Sequence, residues 1–195
     1  MASICMMTAY PEADFWGRRL VTAYQEGALE AGHAVTLVDI QQLSFDPYAY
    51  SYAQHRPLPL EPDLRRVVDL ILRCNHLVLF VPVFKTHLSA VLQTFFQRLF
   101  TTDHFGRPEP AIWGEAHYLH MKTARIISTL DVDAWHALQR DRSARFHPLK
   151  KSVLELLGFR KVRTTTIAPA YELTAENDYI RKWEAKMREL GEKSF

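Results

Sequence analysis

Glycine is the scarce residue of this chain: 7 in 195, about half of what is usual for soluble domains. No G-x-G-x-x-G occurs, which removes the dinucleotide fingerprint of the Rossmann type. Gly27 and Gly32 have phosphate-loop spacing, but His33-Ala34 follows where such a loop needs Lys and then Ser or Thr. Cysteine is nearly absent. Cys5 and Cys74 match no metal or redox spacing and read as small buried apolar residues of a reducing compartment. Neither sign of charge dominates: 24 Lys and Arg face 22 Asp and Glu, a net charge of +2. That balance gives no argument for nucleic acid or an anionic membrane surface as partner. The longest strongly apolar run, Leu77 to Phe84, is far short of the ~20 residues of a membrane span. The start, Met1-Ala2-Ser3-Ile4-Cys5-Met6-Met7, has neither a basic region nor a cleavage site. A cytoplasmic protein is expected. No Gly-x-Ser-x-Gly turn is found, which disfavours a nucleophilic hydrolase.

What is present is ordinary globular material, 48% hydrophobic and 24% charged. A chain of this length buries roughly 70% of its unfolded surface, and one domain over residues 1–195 is expected. Short apolar runs alternate with helical patterns. Strands are predicted over Ser3 to Ala9, Ala34 to Asp39, Leu77 to Val83, Ala124 to Leu130 and Val162 to Ala168. The third is continuously apolar, as suits a central strand covered on both faces. The last is Thr-rich and reads as near an edge. Helices are predicted over Gly17 to Ala31, from Asp63 as cap through Leu72, over Leu88 to Phe100, Leu149 to Leu157, and Thr174 to Leu190. Gly32 sits where a C′ glycine ends the first helix, which explains the false phosphate loop. Leu64, Val67, Val68, Ile71 and Leu72 form the second helix's apolar stripe, and Trp183 and Met187 anchor the last helix. The alternation predicts an α/β fold: an open five-stranded parallel sheet with helices on both faces.

Such sheets bind ligands beyond the carboxyl ends of their strands, at the switch in strand order. That rule selects three segments: Tyr10 to Gly17, Pro82 to Ser89, and Thr129 to Trp135.

Three stretches carry a resemblance. The first runs Gln25-Glu26-Gly27-Ala28-Leu29-Glu30-Ala31-Gly32-His33-Ala34-Val35-Thr36-Leu37-Val38-Asp39 and then Phe45-Asp46-Pro47. The second is Cys74-Asn75-His76-Leu77-Val78-Leu79-Phe80-Val81-Pro82-Val83-Phe84. The third is Leu88-Ser89-Ala90-Val91-Leu92-Gln93-Thr94-Phe95-Phe96-Gln97-Arg98-Leu99-Phe100. Together they resemble the flavodoxin-like NAD(P)H:quinone oxidoreductases and the related NADPH-dependent FMN reductases, across most of residues 3 to 168. The resemblance implies a flavodoxin-like fold. It further implies two-electron reduction of quinone-like acceptors, with NAD(P)H as reductant and a bound flavin, FMN or alternatively FAD, doing the difficult chemistry. A homodimer with the flavin near the subunit interface is implied too.

Carried onto this sequence, the resemblance places the cofactor on three loops: Tyr10, Asp14, Phe15, Trp16 and Gly17; Pro82, Val83, Phe84, Lys85, Thr86 and His87; and Thr129, Leu130 and Asp131. Trp135 and His136 fall where the family keeps substrate-pocket groups. No catalytic acid or base is assigned. Phe84 would pack against the isoalloxazine, and Lys85 would balance charge near its N1. The first loop carries two acids, two bulky aromatics and no hydroxyl but that of Tyr10. The third loop, Thr129-Leu130-Asp131, lacks the family's glycines. Asp14 also reads as a plain helix cap, with Arg18 and Arg19 one step inside. Two other readings stand beside the enzyme: a regulatory or binding partner that has lost its flavin, and a flavin reductase taking flavin as substrate.

Two further features remain. His117 and His120 share a helical spacing, but Glu115 is the only acid or thiol beside them, and no metal site is assigned. Between Arg140 and Arg163 stand eight basic residues, Arg140, Arg142, Arg145, Lys150, Lys151, Arg160, Lys161 and Arg163, opposed by Asp141 and Glu155. The run reads as a solvated face or as an anion site.

Overall fold

The computed structural model describes residues 1–48, 59–84, 87–100, 119–140, 154, 158–170 and 178–193. In chain order these are β1 (Ser3–Thr8), α1 (Phe15–Glu30), β2 (Ala34–Asp39), a 3-10 turn (Ile40–Gln42), α2 (Pro62–Arg73), β3 (His76–Phe84), β4 (His87–Leu88), α3 (Ala90–Phe100), a second 3-10 turn (Leu119–Met121), β5 (Thr123–Leu130), α4 (Val132–Arg140), β6 (Lys161–Ile167) and α5 (Asp178–Lys193). The sheet order is β2-β1-β3-β5-β6, all parallel, with β4 folded back antiparallel onto β3. The expected five parallel strands are there, and β4 adds a sixth. Thr-rich β6 is an edge strand, as its composition suggested.

Period-two alternation divides the core between the two faces of the sheet. Cys5 and Met7 of β1, and Leu77, Leu79, Val81 and Val83 of β3, pack with Leu64, Val67, Val68 and Ile71 of α2 and Leu92, Phe95 and Leu99 of α3. Ile4, Met6, Val78, Phe80 and Ile127 point the other way, onto Leu20, Tyr24 and Ala28 of α1 and Met187 and Leu190 of α5. Trp183 packs on this second cluster. The α1–α5 seam is backbone-close. A Cβ on Gly27 would lie 2.1 Å from the Arg188 carbonyl oxygen, and one on Gly191 2.1 Å from that of Tyr24.

Several boundaries differ from expectation. The first helix begins at Phe15, capped by Asp14, rather than at Gly17. It ends as predicted: Gly32 has φ +78°, its N–H donates to Leu29 O and the His33 N–H to Ala28 O, a Schellman closure. Asp63 does not cap α2. Glu61 holds the cap position and Pro62 opens the helix, because proline's fixed φ suits the first helical position. The Asp63 carboxylate instead accepts the Ser44 N–H at 2.9 Å. The helix after β3 starts at Ala90 instead of Leu88, with Ser89 as its cap. Buried Arg98 of α3 donates to Glu61 Oε1 and Pro59 O, which ties the approach to α2 onto α3. The predicted helix Leu149 to Leu157 lies outside the described residues except Leu154, and so does the Thr174 start of the last helix. His117, and Arg142, Arg145, Lys150 and Lys151 of the basic run, are likewise not covered, whereas His120 stands in the second 3-10 turn.

Candidate functional site

The order β2-β1-β3-β5-β6 places the switch between β1 and β3. A ligand at their carboxyl ends would meet the N-terminus of α1, the β3–β4 hairpin and the β5–α4 junction. The structure brings the described parts of all three predicted segments to this one edge.

The first loop is filled by its own side chains. Tyr10 is fully buried, and its hydroxyl donates to Thr129 Oγ1 at 3.0 Å. Gly17 packs so closely on this ring that an added Cβ would lie 2.3 Å from Tyr10 Cδ1. The one ligand-loop glycine therefore serves packing. Asp14 caps α1: its Oδ1 accepts the Gly17 N–H at 2.8 Å. Both nearby arginines have carboxylate partners, Arg18 with Asp39 and Arg19 with both carboxylate oxygens of Glu184. Phe15 is largely exposed, with the Arg19 guanidinium over its ring at 5.7 Å. Trp16 is half-buried against the α1–α5 core.

At the second loop, Pro82 and Val83 are buried strand residues paired with Thr129 and Leu130. Phe84 is 39% exposed and faces His87 across the hairpin. Lys85 and Thr86 lie outside the described residues. At the third, Thr129 and Leu130 are fully buried. The Asp131 N–H donates to Val83 O at 3.2 Å, and Asp131 Oδ1 accepts from Ala134 N at 2.8 Å, so Asp131 caps α4. Trp135 is half-buried and His136 exposed, both on that helix.

Two parts of a flavin give different answers when fitted to this edge. A phosphate tail would go to the N–H groups and positive dipole end of α1. There the Asp14 carboxylate already holds the Gly17 N–H, and neither arginine lacks a counter-charge. The first loop does not fit a phosphate dianion. A planar ring asks for an exposed aromatic face beside the central strands, and Phe84 provides one.

A separate buried polar cluster lies at the opposite edge, on residues to which sequence reasoning assigned no role. His76 accepts or donates to Thr123 Oγ1 through Nδ1 at 2.7 Å and meets the Tyr24 hydroxyl through Nε2 at 3.4 Å. Burial and the neighbouring Arg125 charge lower its pKa to about 4. Burial pushes the Tyr24 phenol up to about 12, against the pull of Arg125. Its sequence signal was a His and an Arg at inward parity in otherwise apolar strands.

The burial that surrounds Cys5 raises its thiol to about 12 and Cys74's in the same direction, so both stay protonated and unreactive at neutral pH. Among the described residues no helix is long and apolar enough to cross a membrane.

A family model described as the flavodoxin-like fold matches residues 3–190. No match is found among curated proteins. Solved structures similar to this chain include an NAD(P)H:quinone oxidoreductase from Methanothermobacter marburgensis, 18% identical over 98% of this chain and 95% of that one, with a TM-score of 0.73. An FMN-dependent NADH-azoreductase from Bacillus anthracis, in complex with FMN, is 10% identical over 99% of each chain, TM-score 0.64. An NADH:FMN oxidoreductase in apo form is 19% identical over 100% of this chain and 90% of that one, TM-score 0.60. At these identities the likeness is one of fold.

Proposed function

The chain belongs to the family of the flavodoxin-like fold, and from that premise we propose that it is a flavin-dependent NAD(P)H oxidoreductase that passes electron pairs to quinone-like acceptors. The observation that carries the reading is Phe84, an exposed aromatic at the carboxyl end of central β3, beside the β5–α4 junction and at the end of the sheet where such folds take flavin. The similar structures named for quinone, azo and FMN reduction support it. Phe84, His87 and Trp135 are the groups offered to the ring and acceptor. Tyr10, Thr129 and Leu130 act from beneath, as the packed floor of the site. The reading includes a homodimer with the site near its interface.

A second reading is favoured by Asp14. With a carboxylate on the Gly17 N–H, the phosphate of FMN gains little, and flavin is held by its ring and exchanged as a substrate rather than kept as a prosthetic group. One titration tests both. Flavin fluorescence is followed as FMN and riboflavin are added to the purified protein, and NADH or NADPH oxidation is then measured with a soluble naphthoquinone. Expected are micromolar, exchangeable binding of both flavins at similar strength and turnover above the free-flavin background. FMN retained through gel filtration would eliminate the exchange reading. A protein that binds neither flavin would overturn the oxidoreductase itself and leave the regulatory-partner alternative.

A further inference from the structure

The amino edge of the sheet carries a second constellation, on the face covered by α1 and α5. The register sets His76, Thr123 and Lys161 in one row and Val78, Arg125 and Arg163 in the next. A cleft of about 280 Å³ opens at the first row, with His76 and Thr123 as its polar floor and Arg160, Lys161 and Arg163 around it. No Asp or Glu among the described residues lines it. Behind it Arg125 is 4% exposed. Its Nη1 reaches Thr165 Oγ1 at 3.4 Å, its guanidinium also meets the Tyr24 hydroxyl, and Nε and Nη2 are buried with no closer acceptor. Arg125, Arg163 and His33, all basic, act on His76. Arg163 and the Tyr24 phenol act on Arg125.

A buried guanidinium without a carboxylate is costly, and buried charges are as a rule paired. Among the described residues this edge has donors and positive charge in excess of acceptors. The ligand that corrects both is a compact oxyanion with several acceptor oxygens, and guanidinium groups match phosphoryl oxygens two at a time. The cleft is smaller than the roughly 300–1,000 Å³ of sites for drug-sized ligands, which favours one phosphoryl group over a whole nucleotide. β3 is nine residues long, so at ~3.3 Å per residue the cleft lies roughly 25 Å from Phe84, too far to belong to the carboxyl-end site.

We propose that the cleft formed by His76, Thr123, Arg160, Lys161 and Arg163 at the amino edge of β3, β5 and β6 binds a phosphoryl anion, either inorganic phosphate or the phosphate of a small monoester. Thermal unfolding of the full chain is followed while sodium phosphate is titrated against sodium chloride at matched ionic strength, with glycerol phosphate as the monoester arm. A saturable rise of about 2–4 °C is expected once phosphate exceeds its dissociation constant about fourfold. The arm that saturates at lower concentration identifies the source. Arg163 is exposed, so Arg163→Gln should fold normally and weaken phosphate binding about tenfold. Arg66→Gln, which removes the same charge from an exposed position on α2, should leave it unchanged. In NMR the His76 ring signals should move along the same saturation curve. A rise that follows ionic strength alone, or phosphate affinity untouched by Arg163→Gln, would overturn the proposal. Both results are independent of flavin binding at the other edge.

Discussion

Asp14 decides what the first loop can hold. As an N-cap it satisfies the Gly17 N–H, a contact worth about 0.5–2 kcal/mol relative to alanine. As a carboxylate it sets a negative charge where an anionic ligand would sit. Asparagine separates the two roles, since it caps as well as aspartate but carries no charge. Asp14→Asn should therefore leave stability within about 0.5 kcal/mol while tightening FMN roughly tenfold and riboflavin not at all, as read by parallel fluorescence titrations. Equal tightening of both flavins, or of neither, would show that the charge does not act on the phosphate. Neighbouring Tyr10 shows why loop residues resist reading from sequence. Its partner Thr129 is 119 positions away, and its burial depends on the missing Cβ of Gly17. Nothing local says that this hydroxyl points inward.

At the scale of elements, the α1–α5 seam is held by close backbone approach at Gly27 and Gly191, with Arg188 bridging Glu26 and Glu30 across its surface. The exposed ion pairs contribute little, and the glycines set the distance. Gly191→Ala should force the helices apart and lower the unfolding free energy in urea by about 1–3 kcal/mol or more, whereas Arg188→Gln should cost well under 1 kcal/mol. The elements themselves were legible because periodicity reports burial. Alternation between faces in β1 and β3, the Leu64-Val67-Val68-Ile71 stripe and the Gly32 stop all appear in the chain as they appear in space. Other elements carried no such signal. A two-residue strand such as His87–Leu88 has no period to detect. The start of α2 turned on Pro62 rather than on the acid one residue later. The candidate site was legible only as an edge of the sheet. Which of its residues face outward depended on pairings between segments far apart in sequence, such as Asp131 N–H with Val83 O.

For the molecule as a whole, His76 predicts the acid limb of stability. Its folded pKa of about 4 lies below the unfolded value of ~6.5. The unfolded chain therefore binds the proton first, and stability is lost as pH falls from 6.5 through 4. The loss is of order 3 kcal/mol at the bottom of that window. Urea midpoints measured across it should fall with pH, and the slope should flatten in His76→Gln. An unchanged slope would assign the acid limb to other groups. The α1–α5 seam has a further consequence, in the order of events during folding. The first helix and the last are each other's main partner on one face of the sheet, although they stand at opposite ends of the chain. Contacts this distant in sequence close late and slowly. During synthesis, the side of α1 that meets α5 therefore waits uncovered until α5 has emerged, even with Leu20 and Tyr24 already on β1 and β3. A nascent chain stopped short of residue 178 would present that apolar face to chaperones rather than to its own C-terminus.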